Sequence, residues 1–248
     1  MQKPLPRPLI VAHRGCSATH PENTLAAFKA AIAAGADMIE LDVNLSADRQ
    51  LVVIHDRTVG RTTNGRGAVG ALTLAQMARL DAGSWFDPRF GSERIPTLAQ
   101  VLDSVRGRLM VNIEIKPEAV EGHGPVDAVE RQVLELVHDR SMDDATLVSS
   151  FEWRVLERIR RLDSRIALGL LCENPSDRSA LNWYRRIDGF SWHPDGRRLT
   201  RAQVEAWHEM GACVFPYRVV SRSALQRLLA MGVDGAIVDD PGWFQGRG

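Results

Sequence analysis

The sequence predicts an α/β fold, a (β/α)8 TIM barrel with a small insertion after its second strand, and three observations carry that expectation. Eight short apolar runs recur along 248 residues, helical patterns alternate with them, and polar side chains gather where the runs end. An open doubly wound sheet is the weaker alternative, because no Gly-rich nucleotide turn follows the first run.

The elements fall in order. Leu9 to His13 reads as the first buried strand, the helical pattern Thr24 to Ala34 follows, and Met38 to Val43 is the second strand. After a long excursion, the helix Leu98 to Val105 leads to the strand Met110 to Ile115, and the helix Pro125 to His138 to the strand Thr146 to Ser150. The helix Arg154 to Leu162 precedes the strand Ile166 to Leu171, and Gly189 to Trp192 is the sixth strand. The helix Arg201 to Met210, the strand Cys213 to Tyr217, the helix Arg222 to Met231 and the strand Gly235 to Asp239 complete the set. Gly35, Gly107, Gly211 and Gly232 stand where helices should stop. We read residues 1–248 as one domain, with the insertion at roughly 45–96, too long for an ordinary βα loop. Within it Leu51 to His55 is strand-like and several glycines follow; it should cover the barrel's mouth, with Thr97 capping the helix that resumes the rhythm.

Composition narrows the function classes. Lys plus Arg and Asp plus Glu both number 31, so no basic excess invites nucleic acid. Three cysteines, Cys16, Cys172 and Cys213, have no CxxC spacing and suggest neither a disulfide framework nor a zinc site. Met1 to Pro8 is rich in Pro and Arg and leads straight into a motif, and no apolar run approaches the ~18 residues that span a bilayer. The expectation is a cytoplasmic enzyme without integral membrane association.

The polar residues converge on one face. His13 and Arg14 close the first strand, Glu40 and Asp42 the second, Glu114 and Lys116 the third, all at the carboxyl ends where barrel enzymes build their sites. The two-residue period of a strand puts Glu40 beside Asp42 and Glu114 beside Lys116 on one side. Three carboxylates held together repel, so one hard divalent cation, Mg2+ or Ca2+, is the natural occupant; the alternative is that they form ion pairs with Arg14 and Lys116. His13 and His55 each end a buried run, with Asp56 beside His55 as an orienting group. His193, at the end of the sixth strand, is intermediate, placed where it can face the pocket without being essential, while His20, His123, His138 and His208 read as packing or hydrogen-bonding residues. Two imidazoles as acid and base, with a metal on Glu40, Asp42 and Glu114 and either Arg14 or Lys116 neutralising the non-bridging oxygens, suit phosphodiester cleavage. Neither HExxH nor a nucleophile elbow is present to suggest a peptidase.

The ordered words His13-Arg14-Gly15, Pro21-Glu22-Asn23-Thr24, Glu40-Leu41-Asp42-Val43, His55-Asp56, Asp81-Ala82-Gly83-Ser84-Trp85 and Glu114-Ile115-Lys116 resemble the glycerophosphodiester phosphodiesterases. The likeness continues through Ser149-Ser150-Phe151, Gly169-Leu170-Leu171 and Gly232-Val233-Asp234-Gly235 and is closest to the small cytoplasmic bacterial enzymes. It implies a barrel with an inserted segment, an Mg2+ or Ca2+ ion on Glu40, Asp42 and Glu114, His13 and His55 as the acid–base pair, and Arg14 and Lys116 on the phosphate. It also implies a small-molecule substrate, a glycerophosphodiester split to sn-glycerol 3-phosphate and an alcohol through a five-membered cyclic phosphate. The chain departs from the family at Tyr217-Arg218-Val219-Val220, where Trp or Tyr and then Thr-Val-Asn are usual, and at Val238, where Thr is common. Tyr217 can still meet the glycerol moiety, whereas Arg218 and Val220 alter the rim. Two other functions compete with it: a related barrel enzyme that releases the cyclic phosphate, and a non-catalytic binder of a phosphate ligand. Trp85, Phe86, Trp183, Trp192 and Trp243 are candidates for a pocket wall or a homodimer face, against the commoner role of aromatics in the core.

Overall fold

The structure, a computed structural model, describes residues 1, 8–121 and 128–244. Nine strands alternate with helices: β1 (Leu9–His13), β2 (Met38–Leu45), β3 (Leu51–Val53), β4 (Met110–Ile115), β5 (Thr146–Ser150), β6 (Ala167–Cys172), β7 (Ser191–Pro194), β8 (Cys213–Val214) and β9 (Gly235–Val238). All but β3 pair in parallel, in the order β8-β7-β6-β5-β4-β2-β1-β9. Backbone bonds then close the ring: Asp234 N–H donates to the Val214 carbonyl at 3.1 Å, Ile237 N–H to Pro216 at 3.0 Å and Val219 N–H to Ile237 at 3.0 Å. The result is the expected (β/α)8 barrel.

Strand periodicity decides what each side chain meets. On β1, Ile10 and Ala12 join the apolar layer under the helices, while Leu9 and Val11 join an inner cluster with Met38, Leu147, Phe215 and Ile237. The next inward position on β1 is His13. By the same alternation, Ile39 and Leu41 face the helices and leave Glu40 and Asp42 inside; Val111, Ile113 and Ile115 do the same for Asn112 and Glu114. The apolar plug thus occupies the lower barrel and the polar residues its upper end.

The helices are α1 (Leu25–Ala33), α2 (Leu74–Met77), α3 (Leu98–Val105), α4 (Val129–Asp139), α5 (Trp153–Leu162), α6 (Ser179–Arg186), α7 (Arg201–Glu209) and α8 (Arg222–Ala230). Thr97 caps α3 in a capping box with Gln100, as its position suggested. Gly35, Gly107, Gly211 and Gly232 all have φ between +72° and +89°, the left-handed geometry that ends a helix. The expected helix from Pro125 begins outside the described residues, which show α4 from Val129, and α6 was not anticipated.

Between β2 and α3 the excursion builds its own small core from Val52, Ile54, Val59, Val69, Met77, Ala82 and Ile95. β3 is the wall between the two cores. It pairs antiparallel with β2, turning Leu51 and Val53 to the barrel's outer layer and Val52 and Ile54 to the excursion.

Beyond small shifts at the ends of β2, β6 and β9, two strands depart from the sequence reading in ways that bear on the site. β8 stops at Val214 because Pro216 has no N–H to continue the ladder, although the chain stays in line through an isolated bridge of Tyr217 to Asp195. β7 begins at Ser191, so His193 lies within the strand, fully buried against Ser191 Oγ at 2.8 Å and not at the pocket; burial pushes its imidazolium down to about 3. Trp192 is likewise core, stacked on Trp207 with centroids 4.4 Å apart, and Trp243 packs against the same layer. Among the described residues no helix is long and apolar enough to cross a membrane.

Candidate active site

The chain leaves β1 through a left-handed turn. Arg14 has φ +54° and Gly15 +81°, and a Cβ on Gly15 would lie 2.6 Å from the backbone of Ala27, so only glycine lets α1 pack this close. The turn aims the Arg14 N–H at Glu40 Oε2, 2.9 Å away, and its guanidinium at Asp42 (3.2 Å) and Glu22 (2.8 Å). Asn23, also left-handed at φ +58°, donates from Nδ2 to Asp42 Oδ2 at 2.8 Å.

Glu40, Asp42 and Glu114 meet at the top of β2 and β4. Each is buried, and each offers an oxygen within 4.8 Å of the other two. Lys116 lies 2.6 Å from Glu114 and 3.4 Å from Asp42. The ion pairs that compete with metal binding are therefore present, but two cations serve three carboxylates and Arg14 is shared with Glu22. Burial, then the charges of Asp42 and Glu114, raises the Glu40 carboxyl well above its usual range. Burial and the Asp42 charge push Glu114 up to about 7. Asp42 is held below the usual range: Arg14 and then Lys116 outweigh the burial that would raise it. Its Oδ1 is buried with no hydrogen-bond partner, and the Lys116 ammonium stands 3.4 Å from it as a counter-charge. Oxygen-only ligands, residual negative charge and a buried carboxylate oxygen that accepts no hydrogen bond fit a hard divalent cation.

The two histidines have carboxylate partners of their own. His13 Nδ1 meets Asp239 Oδ1 at 2.6 Å, and burial, only partly offset by that bond, lowers its imidazolium. His55 Nδ1 meets Asp56 Oδ1 at 2.7 Å. Arg61 grips both Asp56 oxygens and holds that carboxyl at about 2, while its two Nη atoms reach both oxygens of Glu22 at 2.8 Å.

Every predicted site residue comes to one place. His13, Arg14, Glu40, His55, Glu114, Lys116 and Tyr217 line a single cleft of about 1330 Å3, and Asp42 lies buried against Arg14 and Lys116. Tyr217 meets the Phe151 ring edge-on at 5.7 Å, and burial raises its hydroxyl above the usual range, so it stays neutral. The aromatic wall is Phe151 and Trp153; none of the tryptophans singled out from sequence, nor Phe86, lines the cleft. At the rim, Arg218 pairs with Asp239 at 3.2 Å and Val220 is 56% exposed. Sequence reasoning missed Asp239, Glu22, Asn23 and Arg61. Asp239 had a signal, since it directly follows the last strand as His13 ends the first, and those strands are neighbours.

The model of the glycerophosphoryl diester phosphodiesterase family matches residues 13–243. The chain belongs to this family. Within the phosphodiesterase family, it is 39% identical over 236 residues to a glycerophosphodiester phosphodiesterase of Caldanaerobacter subterraneus subsp. tengcongensis, covering 94% of each protein. A putative glycerophosphodiester phosphodiesterase of Bacillus subtilis is also 39% identical, with the same coverage. Among solved structures, an Oleispira antarctica phosphodiesterase in complex with the product sn-glycerol-3-phosphate superposes with a TM-score of 0.89 at 30% identity over 96% of both chains.

Proposed function

We propose that this phosphodiesterase hydrolyses glycerophosphodiesters to sn-glycerol 3-phosphate and an alcohol, using His13 and His55 as its acid–base pair. The observation that carries the reading is that both imidazoles line the cleft of the three-carboxylate cluster, each with Nδ1 on a carboxylate. A proton on Nδ1, donated to Asp239 or Asp56, leaves Nε2 as the atom that takes or returns a proton. The product bound to the Oleispira relative supports the choice of substrate.

The glycerol hydroxyl next to the phosphate attacks phosphorus as one histidine takes its proton. The bond to the alcohol oxygen breaks as the other histidine protonates it, leaving a five-membered cyclic phosphate. Water then opens the ring with the histidines in exchanged roles, which restores both protonation states. Arg14 and Lys116, kept charged by their carboxylate neighbours, hold the non-bridging oxygens, and Tyr217 packs against the glycerol. Glu40, Asp42 and Glu114 hold one divalent ion, Mg2+ or Ca2+; when bound it supplies Lewis acidity and neutralises phosphate charge. We read the excursion as part of one catalytic domain, since it brings His55 to the cleft.

The test is phosphorus NMR of glycerophosphodiester turnover with Mg2+, Ca2+ or EDTA. The expected end product is glycerol 3-phosphate, with activity abolished by chelation. Full activity in EDTA, or accumulation of cyclic phosphate as the final product, would overturn the reading.

A further inference from the structure

Arg61 is absent from every role assigned above, yet its guanidinium makes four hydrogen bonds to two carboxylates from different parts of the chain. Nε and Nη2 donate to Asp56 at 2.6 and 3.0 Å, and Nη1 and Nη2 donate to Glu22 at 2.8 Å each. Asp56 in turn accepts from His55 Nδ1, and Glu22 accepts from Arg14 Nη1 at 2.8 Å. One planar fork therefore joins the excursion's histidine to the cation at the end of β1, and an ammonium cannot serve two carboxylates in this bidentate way.

The platform beneath Arg61 is built. It ends the short 3-10 turn Val59–Arg61, whose Val59 is fully buried in the excursion core, and Thr63 Oγ1 ties the Val59 carbonyl at 2.8 Å. The loop before α1 and the first turn of α1 meet the excursion again where His20 packs on Phe90 at 5.1 Å and Ala26 N–H donates to Glu93 at 3.2 Å. Those contacts dock the segment, but neither touches His55 or Arg14. Only the Arg61 fork, among the described contacts, ends on partners of both.

We propose that Arg61 is a positioning residue that sets His55 and Arg14 in register across the gap between excursion and barrel. The proposal rests on the acid–base reading above. Through Asp56 it orients the imidazole that moves a proton, and through Glu22 it aims the guanidinium that holds phosphate. Loss of Arg61 has two separable costs, a fall in kcat from His55 and a rise in KM from Arg14.

The test is steady-state kinetics on Arg61→Ala, Arg61→Lys, Asp56→Asn, Glu22→Gln and the two double variants, with thermal unfolding recorded for each. Misplacing reacting groups by about 1 Å costs ~100-fold, so Arg61→Ala should lose on that order in kcat/KM. Asp56→Asn should reproduce the kcat part and Glu22→Gln the KM part. Adding Arg61→Ala to Asp56→Asn should cost little further kcat, because one chain of contacts is cut twice. Arg61→Lys should behave like Arg61→Ala despite its charge, and added guanidinium ion should restore part of the Arg61→Ala loss. Independent, additive losses with no guanidinium rescue overturn the positioning role while leaving the acid–base pair intact. An active His55→Ala enzyme instead overturns both.

Discussion

The His13 imidazole shares Nδ1 with a carboxylate 226 residues away, Asp239 at 2.6 Å, whereas His55 shares Nδ1 with its own neighbour, Asp56, at 2.7 Å. The local geometry is nearly the same and the settings differ. The His13 side chain is 11% exposed and fixed by the register of β1 against β9; that of His55 is 33% exposed and belongs to a segment outside the ring. A rigid sheet positions one partner almost without help. The other needs a surface network, and the Arg61 fork supplies it.

That contrast can be broken most sharply at the histidines themselves. His13→Ala and His55→Ala should each lose ~100- to 10,000-fold in kcat, the range of a single proton-transfer group. Release of glycerol 3-phosphate measures this, and an active variant of either would show that the two do not work as a pair. Next come their partners: Asp239→Asn and Asp56→Asn should each cost ~10- to 100-fold, as residues that orient a working imidazole typically do. The Asp239 loss should be the larger, since the buried ring has no solvent to replace its partner. Equal losses in kcat would mean that burial makes no difference.

A divalent ion should separate the two regions by thermal unfolding. At 100 times its dissociation constant, Mg2+ or Ca2+ should add ~2.7 kcal/mol to stability. At a single fixed ion concentration the gain should be greater at pH 8 than at pH 5, because burial and crowding raise the Glu40 and Glu114 carboxyls above the usual range and the ion must displace their protons. Glu40→Gln should abolish the gain and Asp56→Asn should keep it. The smallest effect is electrostatic. Asp56, at about 2 against an ordinary 3.8, binds its proton more weakly folded than unfolded. Its contribution is therefore complete above about pH 4 and lost as pH falls toward 2. Urea unfolding across that window should show a shallower slope for Asp56→Asn than for the parent.

Much of this was legible in advance, for a physical reason. β1, β4 and β5 run over the residues their apolar patterns marked, because strands buried on both faces leave an unbroken signal. The same logic located Glu40, Asp42 and Glu114, since a charged residue ending such a run has nowhere to go but the barrel mouth. The pattern failed where backbone chemistry cut across it, at Pro216, and where a buried polar residue lay inside a strand, as His193 does. Arg61 was illegible for a different reason. Its partners Asp56 and Glu22 become neighbours only once the excursion has folded onto the loop before α1, and no local pattern announces that.

β3 carries a consequence of its own. Its odd residues belong to one core and its even residues to the other, and His55 follows two residues beyond its end. The strand can be right or wrong by whole residues only, because a slip of one would exchange Leu51 and Val53 for Val52 and Ile54. The placement of His55 is thus quantised: parity protects it from small errors, and its characteristic failure would be a complete inversion.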